Sequence, residues 1–223
     1  MKIPIVINNL NRLSTTKQLV KDLQKRDYFD ITILDNGSTY KPLLDWYDTN
    51  KEIKVKRLNN LGQLAIYNSG LLNDLRLEKN DWVVYTDSDI ELNLNTPKDF
   101  IEQMILIGEK YNYSKVGLSL DIKNLPITEL GNEIFTWETK FWKECLAENI
   151  YKADVDTTFC VIRTDKSFQY EALRVAGDFT CKHLPWYTDF SNLNEEEKYY
   201  LDNVSLEYSG YKRYYNRFLK EYK

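Results

Sequence analysis

Through residues 1–120, short apolar runs alternate with stretches whose apolar residues recur every three or four positions. Ile3–Ile7, Ile31–Leu34, Lys54–Leu58, Trp82–Thr86 and Val116–Leu120 read as strands. Between them the pattern predicts helices over Ser14–Arg26, around Pro42–Thr49, over Gly62–Leu75 and over Pro97–Tyr111. Leu19, Val20 and Leu23 form the apolar face of the first helix, with Ser14 as its N-cap. Pro97 suits a first helical turn, where no backbone N–H is needed. Strand and helix in alternation predict an α/β fold with a mainly parallel sheet and right-handed crossovers. Ligands of such sheets bind beyond the carboxyl ends of the strands. Three polar clusters follow strands here: Asn8-Asn9, Asp35-Asn36-Gly37-Ser38 and Asp87-Ser88-Asp89. All three should gather along one edge.

The second half is less regular. Thr136–Asn149 reads as a helix rich in Trp and Phe, Thr157–Ile162 as a strand and Asn194–Leu201 as a helix. Arg174–Tyr187 contains Gly177 and the chain's only histidine, His183.

Composition narrows the classes. The chain has 223 residues, 43% hydrophobic and 29% charged, enough to bury roughly 70% of its unfolded surface without staples. A net charge of −4 gives no basic footprint, so nucleic acid is not expected as a partner. Cys145, Cys160 and Cys181 have no paired spacing, which fits a reducing compartment. The first apolar stretch is too short for a signal sequence, and no window suggests a membrane span. A cytoplasmic protein is expected.

Asp87 and Asp89 stand two apart, so an extended chain turns both carboxylates to one side. Two carboxylates alone repel. A divalent cation resolves the repulsion, and Mg2+ or Mn2+ prefers oxygen ligands. The competing reading of the tripeptide is an acidic, solvated turn. Cys181 and His183, also two apart, raise a zinc reading, but there is no CxxC pair, and free cysteines are usually small apolar core residues. Neither G-x-x-x-x-G-K-[ST] nor G-x-G-x-x-G occurs.

The stretch WVVYTDSDIEL resembles the Asp-X-Asp segment of GT-A fold glycosyltransferases, and the preceding motifs agree in order. IPIVINNLNR is similar to the opening strand and loop of family 2 members, ITILDNGST to their second strand, and NNLGQLAIYNSG to the turn and helix near nucleotide and phosphates. The resemblance is good over residues 3–92 and looser to about residue 190. It implies a GT-A domain over residues 1–223. Residues 1–92 would form the nucleotide-sugar half, residues 93–190 the acceptor half and residues 191–223 a helical tail.

The same resemblance implies roles. Asp35 would bind the base, and Asn9 and Arg12 would shape the nucleotide pocket. Asn60, Gly62 and Asn68 would lie near the phosphates. Asp87 would sit near the ribose, and Asp89 would hold Mn2+ or Mg2+, with Asp87 and His183 as further ligands. A lone histidine can equally be structural. The implied partners are a nucleoside diphosphate sugar, UDP first, and a saccharide or lipid-linked saccharide acceptor. The implied activity is hexosyl transfer in glycan or polysaccharide synthesis.

Such a transfer needs a base for the acceptor hydroxyl. Asp154, Asp156, Glu138 and Asp178 are available, and Asp156 is preferred, although it could instead hydrogen-bond Thr157 or Thr158. Of the aromatics in the second half, Trp137, Phe141, Trp142, Trp186 and Tyr187 could line an acceptor groove. Phe141 is read as core and Trp186 as a site residue, since it neighbours His183. The tail mixes Lys212, Arg213, Arg217, Lys220 and Lys223 with Tyr211, Tyr214, Tyr215, Phe218 and Tyr222. Either its aromatic side packs on the domain, or it makes peripheral contact with an anionic membrane surface, which a lipid-linked acceptor would favour. A nucleotidyltransferase and a sugar-nucleotide-binding module without turnover are the alternatives to a transferase.

Overall fold

A computed structural model describes residues 3–221 except 76, 79 and 208. Tyr222 and Lys223 of the tail therefore lie outside the described residues. The elements in chain order are β1 (Ile5–Asn9), α1 (Ser14–Gln24), β2 (Ile31–Asp35), α2 (Lys41–Thr49), β3 (Lys54–Arg57), α3 (Ala65–Asn68), α4 (Leu71–Asp74), β4 (Trp82–Asp87) and β5 (Ile90–Leu92). They continue with α5 (Phe100–Tyr111), β6 (Lys115–Leu120), α6 (Glu129–Glu138), β7 (Cys145–Ala147), β8 (Ile150–Asp154), β9 (Phe159–Arg163), β10 (Glu171–His183), α7 (Glu195–Asn203) and α8 (Gly210–Glu221).

The strands join in the order β3-β2-β1-β4-β9-β6-β10-β8-β7, with β5 pairing on β10. β3, β2, β1, β4, β6 and β10 run one way, and β9 inserts antiparallel between β4 and β6. Successive side chains of a strand face opposite sides, and β1 shows the consequence. Ile5 and Ile7 enter one core with Leu19, Leu23 and Phe100. Val6 enters the other with Leu34, Ile66 and Tyr85. Both faces of the central strands are covered, which explains their continuous apolar runs.

Register confirms the gathering of polar clusters. Asn9 stands opposite Asp35, and Asn8 opposite Asp87, so three strand ends meet on one edge.

Several local expectations are corrected. Ser14 is the first helical residue rather than the cap. Leu13 precedes it, and the helix start is satisfied from afar by Glu196, whose carboxylate accepts from Leu13 N, Ser14 N and the Ser14 hydroxyl. The helix expected over Gly62–Leu75 is split, because Gly70 takes a left-handed φ of 71° between α3 and α4. Pro97 lies in a turn ahead of α5, which begins at Phe100.

The helix expected over Thr136–Asn149 begins earlier and ends earlier. Thr128 caps α6 by accepting from Gly131 N, and the chain then forms the β7–β8 hairpin. Asn149, at φ 58°, occupies the left-handed position in that hairpin's turn, which asparagine tolerates. Arg174–Tyr187 is mostly one long strand, β10, whose pattern is interrupted by a register shift between Val175 and Thr180.

The tail's aromatic side packs inward. Phe190 meets the rings of Tyr211, Tyr215 and Phe218, while Arg217 pairs with Glu133 of α6 at 2.9 Å. Among the described residues, no helix is long and apolar enough to cross a membrane.

Candidate active site

β4 delivers Asp87 to the carboxyl edge, and the chain turns through Ser88 and Asp89 into β5. Two bonds from the β9 side fix the end of β4: Asp87 N and the Thr86 hydroxyl both donate to Thr158 O, at 3.0 and 2.8 Å. Ser88 is buried, and its hydroxyl donates to Asn9 Oδ1 at 2.9 Å. The middle residue thus anchors the turn while its two neighbours point into the cleft. β5 pairs antiparallel with β10, which sets His183 opposite Ile90, and Leu184 N donates to Asp89 O. One ligand atom from each of Asp87, Asp89 and His183 lies within 4.8 Å of the other two. His183 Nε2 is 3.5 Å from Asp89 Oδ1, and Trp186 meets the imidazole edge-on at 5.2 Å.

The electrostatics of the three groups follow from their burial and their closeness to one another. Burial raises the Asp87 carboxyl well above the ordinary range, and the Asp89 and Asp156 carboxylates raise it further. Burial also works against charge on Asp89, yet the His183 imidazole and then Arg12 outweigh it and hold that carboxyl low. For His183, burial opposes the imidazolium, but attraction and a hydrogen bond to Asp89 lift it above its usual value. Two carboxylates and an imidazole are a suitable donor set for Mn2+ or Mg2+. His183 Nδ1 is buried and has no hydrogen-bond partner in the structure. Among the described residues no other group of His, Cys, Asp and Glu converges in this way. Cys181 belongs to the apolar core, its thiol pushed up by burial, which leaves the zinc reading without its sulfur ligand.

These residues floor a cleft of about 360 Å3. Of the residues read from the sequence, the cleft brings together Arg12, Asn60, Gly62, Asp87, Asp89, Asp156, His183 and Trp186. Three do not line it. Asp35 is fully buried beneath, and its Oδ1 accepts from Gly37 N at 3.2 Å and Ser38 N at 2.8 Å. Its neighbour Asn36 takes the place on the wall. Asn9 is also beneath, its amide donating to Arg12 O and the Tyr47 hydroxyl while it holds Ser88. Asn68 is exposed and away from the cleft, because Ala65 and Ile66 turn the buried side of α3 to the core.

Among the four carboxylates weighed as a base, only Asp156 lines the cleft. Its Oδ1 accepts from Thr158 N at 2.9 Å and from the Thr158 hydroxyl, which orients it. Glu138 is buried against Arg174 at 2.6 Å, while Asp154 and Asp178 are exposed elsewhere. Phe141, read as core, is half-buried under the Arg174 guanidinium, and Trp137 is exposed.

The sequence reading missed Asn8, Asn36, Tyr200 and Tyr211 as cleft residues. Asn8 and Asn36 were within reach of strand alternation: their neighbours Asn9 and Asp35 face down, so they face the cleft. Asn36 Nδ2 donates to Asn8 Oδ1 at 2.6 Å and to Gly62 O at 3.0 Å, tying three loops together. Nothing local marked Tyr200 or Tyr211.

No family model and no curated protein matches the sequence. Solved structures do match. The crystal structure of GalNAc-T7 with UDP, GalNAc and Mn2+ shares 14% identity, with a TM-score of 0.52 over 82% of this chain and 43% of that one. The structure of S. aureus TarS shares 16% identity, with a TM-score of 0.44 over 74% of this chain and 28% of that one. This chain thus spans less than half the length of either. The architecture is the GT-A fold, as the motif resemblance implied.

Proposed function

We propose that the protein is a metal-dependent glycosyltransferase that moves a sugar from a nucleoside diphosphate sugar to a hydroxyl acceptor. The observation that carries this reading is the convergence of Asp87, Asp89 and His183 at the carboxyl edge of a GT-A sheet, beside Arg12. UDP is the first nucleotide to test, since the GalNAc-T7 structure contains it with Mn2+. Asp89, Asp87 and His183 would hold the cation, which when bound supplies positive charge to stabilise the departing diphosphate.

The remaining roles follow from position. Asn8, Asn60 and Gly62 shape the cleft wall nearest β1 and β2, and Asn36 ties that wall together through its own amide. Asp35 acts on the base from below, by fixing the Gly37-Ser38 turn. Asp156 Oδ2 takes the acceptor proton as the acceptor oxygen bonds to the anomeric carbon. The bond from that carbon to the diphosphate breaks, and its electron pair leaves with the phosphate. Trp186 offers an aromatic face at the mouth of the cleft.

The deciding experiment incubates the protein with UDP-, GDP- and dTDP-sugars, with and without Mn2+, and measures nucleotide products. Release of nucleoside diphosphate that depends on Mn2+ and is lost in Asp89→Ala is expected. Pyrophosphate from a nucleoside triphosphate would indicate a nucleotidyltransferase. Binding with no release would indicate a module without turnover.

A further inference from the structure

The cleft has a wall that the sheet does not provide. Tyr200 of α7 and Ser209, Gly210, Tyr211 and Tyr214 around the start of α8 all line it. At their meeting point lies Arg12, from the loop after β1, only 4% exposed. Its guanidinium carbon sits 3.9 Å above the Tyr200 ring and 5.6 Å from the Tyr211 ring. Its Nε is buried without a hydrogen-bond partner, and the buried Tyr211 hydroxyl lies beside the guanidinium and Thr188. A buried guanidinium with an unmet donor is costly in a folded protein unless something supplies the acceptor. The Asp89 carboxylate feels its charge, but His183 is the stronger influence on that carboxylate. Stacking between rings holds the planar fork in place, so little ordering remains to be done when an anion arrives.

The tail is tied where this wall requires it. Glu196 of α7 clamps the start of α1, immediately after Arg12, through Leu13 N and both the amide and hydroxyl of Ser14. The Tyr199 hydroxyl donates to the Thr39 hydroxyl, and the Tyr40 and Tyr199 rings meet at 4.9 Å, on the loop after β2.

We infer that α7 and α8 form part of the donor site. Arg12, held by Tyr200 and joined by the Tyr211 hydroxyl, is an anion clamp for the diphosphate of the nucleotide, opposite Asp87, Asp89 and His183. The inference rests on the reading of the protein as a user of nucleoside diphosphate sugars. It adds that the C-terminal tail binds the leaving group.

The test measures affinity for UDP and for uridine, each with Mn2+, in the wild type, Tyr211→Phe and Arg12→Lys. Tyr211→Phe keeps the ring and removes only the hydroxyl, so it preserves packing if Arg12→Lys does not. Tyr211→Phe should weaken UDP about tenfold, the size of a hydrogen bond to a charged group. Arg12→Lys should weaken it at least as much, because an ammonium cannot stack or present a fork. Uridine affinity should stay unchanged in both. Wild-type affinity for UDP retained in a folded Tyr211→Phe overturns the clamp and leaves the transferase reading standing. Loss of uridine and UDP together in that variant also overturns it, since the tail would then only hold the cleft's shape. A wild type that binds none of UDP, GDP or dTDP with Mn2+ overturns both readings.

Discussion

Asp87 and Asp89 share one side-chain chemistry and stand in different environments. Asp89 has the imidazole of His183 beside it and is held low; Asp87 has mainly burial and two carboxylate neighbours and is raised. A carboxyl raised by folding contributes stability below its ordinary value of 3.8 and loses that contribution as pH climbs through its folded value. At neutral pH, then, the metal-free site is destabilised by Asp87. Asp87→Asn should raise the melting temperature without metal, by roughly 2–4 °C per kcal/mol relieved. The same variant should lose its response to Mn2+. A thermal melt with chelator present checks this, and an unchanged or lower midpoint would count against it. His183 runs in the same direction: raised above 6.5, it favours the protonated form that pairs with Asp89, and that stabilisation fades as pH rises through its folded value. A cation needs the neutral imidazole, so Mn2+ affinity should rise with pH across that same interval, with protons released on binding. Calorimetry in buffers of different ionisation enthalpy measures the release. Binding that is flat with pH would remove His183 from the ligand set.

At the scale of elements, the loop carrying Asp156 is held by β6. Lys115 is buried, and its ammonium donates to Val155 O at 2.6 Å and Gln169 O at 3.0 Å over the Phe168 ring. One turn of the pleat further on, Gly117 leaves room for Val155: a Cβ there would come within 2.5 and 2.8 Å of its two methyl carbons. Gly117→Ala must push that loop aside, costing about 1–3 kcal/mol as overpacking does. Turnover should fall further than the lost stability accounts for, because Asp156 moves with Val155; a melt and an activity assay on the same sample separate the two. This support was not legible in the sequence, where Lys115 stands just outside the apolar run Val116–Leu120. The strand–helix alternation up to β6 was legible because β1, β2, β4 and β6 are buried on both faces and each main helix keeps one apolar side. The β7–β8 hairpin was not, since the aromatics of Thr136–Asn149 mimic a helical face while their order is set by Thr128 and Asn149 at its ends. β10 was hidden by its own irregularity around Gly177.

At the scale of the molecule, the site joins pieces far apart in the chain: the loop after β1, the β4–β5 turn, the end of β10 and the tail. The parts read as motifs, including Asp87, Asp89 and His183, lie on sheet edges whose polar residues follow apolar strands. Tyr200 and Tyr211 gave no such signal, because their place depends on a docking of helices that only the fold determines. The assembly sets the carboxyl groups of Asp87, Asp89 and Asp156 and the guanidinium of Arg12 around one cleft, and that arrangement has a consequence for ligand binding. A nucleoside diphosphate arriving alone brings its phosphates toward carboxylates that repel them. A divalent cation arriving alone relieves the carboxylates and leaves Arg12 without an acceptor. Together they complete both halves, so each should tighten the other, and by linkage the two affinities should change by one common factor. Thermal melts over a matrix of UDP and Mn2+ concentrations measure this. Saturation at a hundred times the dissociation constant stabilises by about 2.7 kcal/mol. The shift with both ligands should exceed the sum of the separate shifts, and in Asp89→Asn the excess should vanish while the fold persists. Strictly additive shifts in the wild type would mean that the cation and the phosphates occupy independent sites, and the cleft would then not be a metal-bridged donor site.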